Sequence, residues 1–245
     1  MPIIYLSPST QEFNPYVTTG NEEYWMNRLA DAMEPMLTAS GIQFHRNTPD
    51  MTASSSIRAS NAGSYDLHLA LHSNAAGEES AGRYRGILAF YFPGSPQGQR
   101  AAQLIVDELK AIYPLPNLVR TEATTTLGEV RRVRAPAVLL ELGFHDNTED
   151  ADWVTNNIYP SAEAIVLAVT QYFDLPFFPA SQPMPGRVRY DGGAVSVYDR
   201  PAFSAPKAFL YDGAPVEILN RYLDWVLIRY GDELGYVPAE FVAEG

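Results

Sequence analysis

Apolar bursts alternate with stretches of helical spacing over the first two thirds of the chain. The bursts are IIYL at 3–6, IQF at 42–44, LHLAL at 67–71, ILAFYF at 87–92 and AVLLEL at 137–142. Between them, Trp25 or Met26, Leu29, Ala30, Met33 and Leu37 recur at helical spacing, as do Ala101, Leu104, Ile105, Leu109 and Ile112. A further helix is predicted from Ser161 to Phe173, with Pro160 near its first turn and Ile165, Ala168, Val169 and Phe173 on one face. AVLLEL is apolar nearly throughout, the mark of a strand covered on both faces. Alternation of this kind predicts βαβ units, and hence a doubly wound α/β domain with a mostly parallel sheet and helices on both faces, over residues 1–175.

The texture then breaks. Pro176, Pro179, Pro183 and Pro185 fall close together, which forbids a continued helix or a central strand and marks residues 176–185 as an interdomain linker. Beyond it, short β-type runs (AVSVY, AFLY, VEILN, LDWVLIRY, LGYVPAEFV) are separated by DG and GD turn signals. Strands of that length, so punctuated, predict a small all-β barrel over residues 186–245.

Composition narrows the class. Hydrophobic residues make up 46% and charged residues 19% of 245, enough apolar material for a packed core. No run approaches the roughly 18 apolar residues that span a bilayer, and MPIIYLSPSTQEF lacks the basic leader and apolar core of a signal peptide, so neither membrane insertion nor a secretory leader is expected. A formal net charge of −12 would repel a polyphosphate backbone, which makes nucleic acid a poor partner. The absence of Cys removes disulfides, thiolate-bound zinc and thiol nucleophiles. Catalysis would have to rest on imidazoles, carboxylates, hydroxyls or amides.

In doubly wound sheets ligands sit outside the carboxyl ends of the strands. The first strand runs into Ser7, Pro8, Ser9, Thr10 and Gln11. LHLAL ends in His72, Ser73 and Asn74, and AVLLEL carries Glu141 just before Gly143, Phe144, His145, Asp146 and Asn147. Glu23 falls in the first turn of the first long helix. A histidine and two carboxylates converging on one sheet edge suit a divalent metal and its proton traffic. Each residue also has a plainer reading. The helix macrodipole favours Glu23 with no metal present, and His72 would be satisfied by a loop carbonyl. Glu141 is harder to dismiss, because a carboxylate closing an apolar strand needs a compensating partner. His68 lies roughly 13 Å along the strand from His72 and is read as structural. His45 is read as packed or capping, and His145 as a reserve ligand.

At these residues the chain resembles the zinc-dependent N-acetylmuramoyl-L-alanine amidases, which cut the amide joining the lactyl group of N-acetylmuramic acid to L-alanine in peptidoglycan. The resemblance is carried by EEYWMNRLADAM (22–33), DLHLALHSNAA (66–76), RGILAFYFPGSPQGQRAAQLI (85–105) and RRVRAPAVLLELGFHDNTEDADWV (131–154). It implies Glu23 and His72 as zinc ligands, Glu141 as the catalytic glutamate of an E-x-GF motif, and Asn74 and Arg131 as substrate contacts. Arg46 and Arg58 also match family arginines. For all three arginines a structural ion pair is an equally good reading. Where the family has its first zinc-binding histidine, this chain has SPSTQ, which aligns Thr10 or Gln11 with the lost ligand. Gln11, followed by Asn14, is the preferred third contact, direct or through water, and a weaker metal site is implied.

The last 60 residues resemble a bacterial SH3-type domain, through VSVYDRP, DGAPVEIL, Trp225 in DWVLI, and GYVPAEFV. Such domains accompany wall hydrolases and often bind peptidoglycan peptides. The combined reading is a two-domain, zinc-dependent peptidoglycan amidase with lysin-like release from a phage or prophage. Two alternatives fit the same residues: a non-catalytic wall-binding protein on a degenerate amidase fold, and a zinc peptidase acting on the stem peptide.

Overall fold

The computed structural model describes residues 1–180 and 182–245. In chain order the first part comprises β1 (Ile3–Pro8), α1 (Glu22–Ala39), β2 (Gln43–Arg46), α2 (Ala53–Ala62), β3 (Leu67–Asn74), β4 (Ile87–Tyr91), α3 (Pro96–Lys110), β5 (Val119–Ala123), α4 (Gly128–Arg131), β6 (Ala137–Phe144), α5 (Thr148–Asn156) and α6 (Ile158–Tyr172). All five apolar bursts become strands. They join β5 in a six-stranded sheet of order β2-β1-β3-β6-β4-β5. The pairs β1/β3, β3/β6 and β4/β5 are parallel, whereas β4 runs antiparallel to β6. The result is a mixed α/β unit with a mostly parallel central sheet.

The two central strands are the most completely buried. Leu67, Leu69, Ala70 and Leu71 of β3 and Val138, Leu140 and Leu142 of β6 are all fully buried, as expected for strands covered on both faces. Their parallel register sets His72 beside Glu141 at the carboxyl ends, with an irregularity between His72 and Asn74. Gly143, at φ +79°, turns the end of β6 in the left-handed region that favours glycine, with Val154 Cγ2 only 3.0 Å from where a Cβ would stand.

Residues 173–245 belong to a second compact unit, which also takes in residues 1–2 and 35–43; the first unit is 3–34 with 44–172. The second unit carries β7 (Met184–Val188), β8 (Ala194–Val197), β9 (Ala208–Tyr211), β10 (Pro215–Tyr222), β11 (Trp225–Tyr230), β12 (Glu233–Pro238) and β13 (Val242–Glu244). These form a five-stranded sheet of order β12-β11-β10-β7-β13 and a separate β8/β9 pair, antiparallel in every recorded pairing. Val188, Val197, Val226, Ile228 and Val237 form its fully buried centre.

One expectation from the prolines fails. β7 begins at Met184, inside the stretch read as linker, and lies between β10 and β13. Pro185 has no N–H to give, but it faces Glu217 in the ladder and its carbonyl accepts from Gly245 N at 2.9 Å, so an interior strand tolerates it. Ser181, in the same stretch, lies outside the described residues.

Candidate functional site

The turn after β1 brings a polar cluster to the carboxyl end of the sheet. Glu22, the first residue of α1, donates its backbone N–H to Asn14 O, and Asn14 Nδ2 donates to Glu22 Oε2 at 2.7 Å. This fixes the carboxylate facing inward. Glu22 Oε1 lies 2.8 Å from His72 Nδ1, and both side chains are buried. Gln11 joins the same group: its Nε2 is 3.3 Å from His72 Nδ1, and its Oε1 accepts from Asn14 Nδ2 at 3.2 Å.

The glutamate in contact with His72 is therefore Glu22 and not Glu23. Successive helical residues are turned by about 100°, so only one of two adjacent glutamates can face β3. Among the described residues no hydrogen bond joins Glu23 to His72. Glu23 instead lines a neighbouring cavity of about 530 Å³, together with Thr10, Gln11, Met51, His72 and Glu129.

Glu129 of α4 completes the cluster, and sequence reasoning passed it over. It is 4% exposed. Its Oε2 lies 3.1 Å from His72 Nε2, its Oε1 accepts from Ser7 Oγ at 2.5 Å, and His68 Nε2 stands 3.3 Å from Oε1. His68 is held from its other side by Ser60 Oγ at 2.9 Å. Asn47 Nδ2 donates to Ser7 Oγ, Pro8 O and Ser56 Oγ. No apolar periodicity frames Glu129 in TTTLGEVRR. The available signal was two histidines on one buried strand.

The electrostatics follow from burial and pairing. Burial opposes the imidazolium of His72, but the Glu129 and Glu22 carboxylates outweigh it and raise its pKa well above the ordinary 6.5. Burial likewise opposes ionisation of Glu22 and Glu129. In Glu22 the His72 and Asn14 contacts win, and in Glu129 the His68 and His72 contacts win, so both carboxyls fall below the usual range. Glu141 behaves differently. Burial pushes it up to about 7, with His72 lowering it and Glu22 raising it. Its Oε2 is shut off from solvent and has no hydrogen-bond partner.

The other expected residues are dispersed. Asn74 Oδ1 accepts from Ala75 N at 2.8 Å, within its own loop. Arg131 is exposed at the end of α4. Arg46 is structural, tied to Asp31, Glu34 and Asn27 Oδ1 at 2.6–2.7 Å, and Arg58 is exposed. His45 Nδ1 pairs with the Tyr65 hydroxyl at 2.7 Å. His145 Nδ1 is engaged by Ser73 Oγ and Ser73 O, and its ring stacks on Tyr16.

Among the described residues, no three His, Asp or Glu side chains are grouped to hold a metal. The donor set next to His72 Nδ1 is one carboxylate, one imidazole and the Gln11 amide, whose oxygen and nitrogen exchange by a flip. Glu22, Glu129 and Glu141 are three buried or occluded carboxylates against the two imidazoles of His72 and His68, and Glu141 Oε2 lacks a partner. This excess of negative charge fits a divalent cation bound between Glu22 and His72.

The mostly parallel α/β sheet thus carries an acidic, histidine-bearing cluster at its carboxyl edge. The chain belongs to the N-acetylmuramoyl-L-alanine amidase family, whose sequence pattern matches residues 14–171. Amidases of this family act on peptidoglycan. Solved structures share the fold. The catalytic domain of CwlV, an amidase from Bacillus (Paenibacillus) polymyxa var. colistinus, is 16% identical with a TM-score of 0.62, over 72% of this chain and 100% of that one. The amidase AmiC2 of Nostoc punctiforme is 14% identical with a TM-score of 0.61, over 71% and 97%. The catalytic domain of the CD27L endolysin targeting Clostridia difficile is 22% identical with a TM-score of 0.57, over 70% and 97%. No curated protein matches the chain in sequence.

Proposed function

We propose that this protein hydrolyses the amide between N-acetylmuramic acid and L-alanine of peptidoglycan, using one zinc ion held by Glu22 and His72. The observation that carries the reading is the Glu22–His72 contact at the sheet edge, next to a Glu141 oxygen with no partner. Gln11 is the third protein contact, direct or through water, and Asn14 braces it together with Glu22. When bound, zinc supplies a Lewis acid for the scissile carbonyl and an acidified water.

The chain's own residues handle the proton. Glu141, whose Oε2 is shut off from solvent with no partner, is suited to accept a proton and release it again. It takes the proton from the water that attacks the carbonyl carbon. As the C–N bond breaks, it returns that proton to the leaving nitrogen. The products are a lactyl carboxylate on the sugar and a free L-alanyl amine on the peptide. Arg131, exposed at the end of α4, is suited to bind a stem-peptide carboxylate, and Asn74 to line the adjoining loop. The antiparallel strands of residues 186–245 support an SH3-type domain that binds the wall. Trp225 there is 8% exposed and packs against Tyr198 and the largely exposed Phe203.

Digestion of purified peptidoglycan with zinc supplied tests the activity. New N-terminal L-alanine without new reducing sugar ends is expected, with Glu141→Gln slower by about 10²-fold or more. Reducing ends would mean a glycosidase, and cleavage of a sugar-free stem peptide would mean a peptidase.

A further inference from the structure

Glu129 lines the cavity beside Glu23 and meets Nε2 of the imidazole at the centre of the site, while Glu22 meets Nδ1. Its two oxygens serve two histidines of one strand: Oε2 faces His72 Nε2 at 3.1 Å and Oε1 faces His68 Nε2 at 3.3 Å. Four residues along a strand separate two Cα atoms by roughly 13 Å, but both rings lean onto this single carboxylate. It is held in turn by Ser7 Oγ, which Asn47 supports, while His68 is backed by Ser60. All of these side chains are buried. The assembly is a polar brace behind the imidazole, drawn from β1, α2, β3, α4 and the residue after β2.

We infer that Glu129 is a positioning residue that fixes the His72 ring by accepting from Nε2–H, so that Nδ1 is the nitrogen presented to a metal beside Glu22. An ionised carboxylate has no hydrogen to donate and only accepts, and a neutral imidazole carries one N–H. Placing that hydrogen on Nε2 leaves the lone pair on Nδ1, which faces Glu22 Oε1 at 2.8 Å. The brace also makes the imidazole more basic as a donor. It offsets in part the weakness of an amide such as Gln11 in the ligand set. This inference rests on the zinc reading above.

Two measurements on the full chain test it. The first is zinc affinity by chelator competition at neutral pH, for wild type, Glu129→Gln and Glu22→Ala, with thermal melts as the folding check. Glu129→Gln is expected to bind zinc about 10–100-fold more weakly than wild type while keeping a cooperative melt. Affinity within twofold of wild type would overturn the positioning role but leave the zinc reading standing. Wild type that binds no zinc, or binds it equally well as Glu22→Ala, would overturn the zinc reading and this inference with it. The second measurement keeps the question answerable if Glu129→Gln does not fold. Long-range 1H–15N spectra of zinc-loaded wild type are expected to show His72 protonated on Nε2 with a metal-shifted Nδ1. Protonation on Nδ1 with zinc on Nε2 would contradict the assignment.

Discussion

Glu22 and His72 come into contact across fifty positions of sequence, Oε1 to Nδ1 at 2.8 Å, because the turn after β1 and the first residue of α1 are stitched together by Asn14. The adjacent Glu23 does not share in this. Zinc affinity should therefore separate the two glutamates. Glu22→Ala is expected to weaken binding by about 100-fold or more, as loss of one of two strong ligands does, whereas Glu23→Ala should stay within about twofold of wild type. Calorimetry on both variants decides it, and the opposite ranking would return the ligand role to Glu23.

Gln11 gives a second prediction. Its amide stands 3.3 Å from His72 Nδ1, where a better donor would complete a stronger site. Gln11→His is expected to tighten zinc about tenfold or more, since neutral imidazole is a far better zinc ligand than a carboxamide. No change in competition with a chelator would show that position 11 does not reach the metal.

Protonation of the metal-free site makes stability depend on pH in a calculable direction. Glu141 goes from an ordinary 4.5 to about 7 on folding. Its contribution is complete below pH 4.5 and is lost as pH rises through about 7. His72, also raised, contributes fully below its ordinary 6.5 and loses that contribution at still higher pH. Glu22 and Glu129 are depressed, so their contribution is present above 4.5 and lost as pH falls. The melting temperature with chelator present should peak near pH 5 and decline above it. In Glu141→Gln the decline above pH 5 should be shallower. Parallel curves for wild type and variant from pH 5 to 9 would refute the assignment of that proton to Glu141.

Away from the site, Asp150 ties α5 to the ends of β4 and β6. It is 0% exposed and accepts from Gly86 N, Phe144 N, the Tyr113 hydroxyl and Arg85 Nε at 2.5–3.0 Å. Asp150→Ala would strand several buried donors and a guanidinium, at a cost of about 3–5 kcal/mol. Chemical denaturation measures it, and a loss under about 1 kcal/mol would show that the cluster relaxes freely.

The sheet was legible because its central strands are buried on both faces, so LHLAL and AVLLEL stand out as apolar runs. β5 did not stand out. Its sequence VRTEA lies at the sheet edge with Glu122 and Ala123 exposed, and edge strands need no apolar signal. α2, ASSSIRASNA, was hidden in the same way, burying only Ser56, Ile57 and Ser60. For the site, the contact of Glu22 rather than Glu23 with His72 follows from the helix face. Glu22 precedes Met26 by four residues and so lies on the face of the buried Met26, Leu29, Ala30 and Met33. Glu129 was not legible, since its role depends on the lean of two side chains toward a four-residue helix, which no periodicity encodes.

The central claim is a cation at the carboxyl edge of β3 and β6, and its position in a crystal soaked with zinc tests that claim most directly. Anomalous scattering should place one zinc within about 2.0–2.2 Å of His72 Nδ1 and of a Glu22 oxygen, with Glu141 facing the metal-bound water. A site empty at saturating zinc, or a zinc bound through Glu23 without His72, would contradict the account.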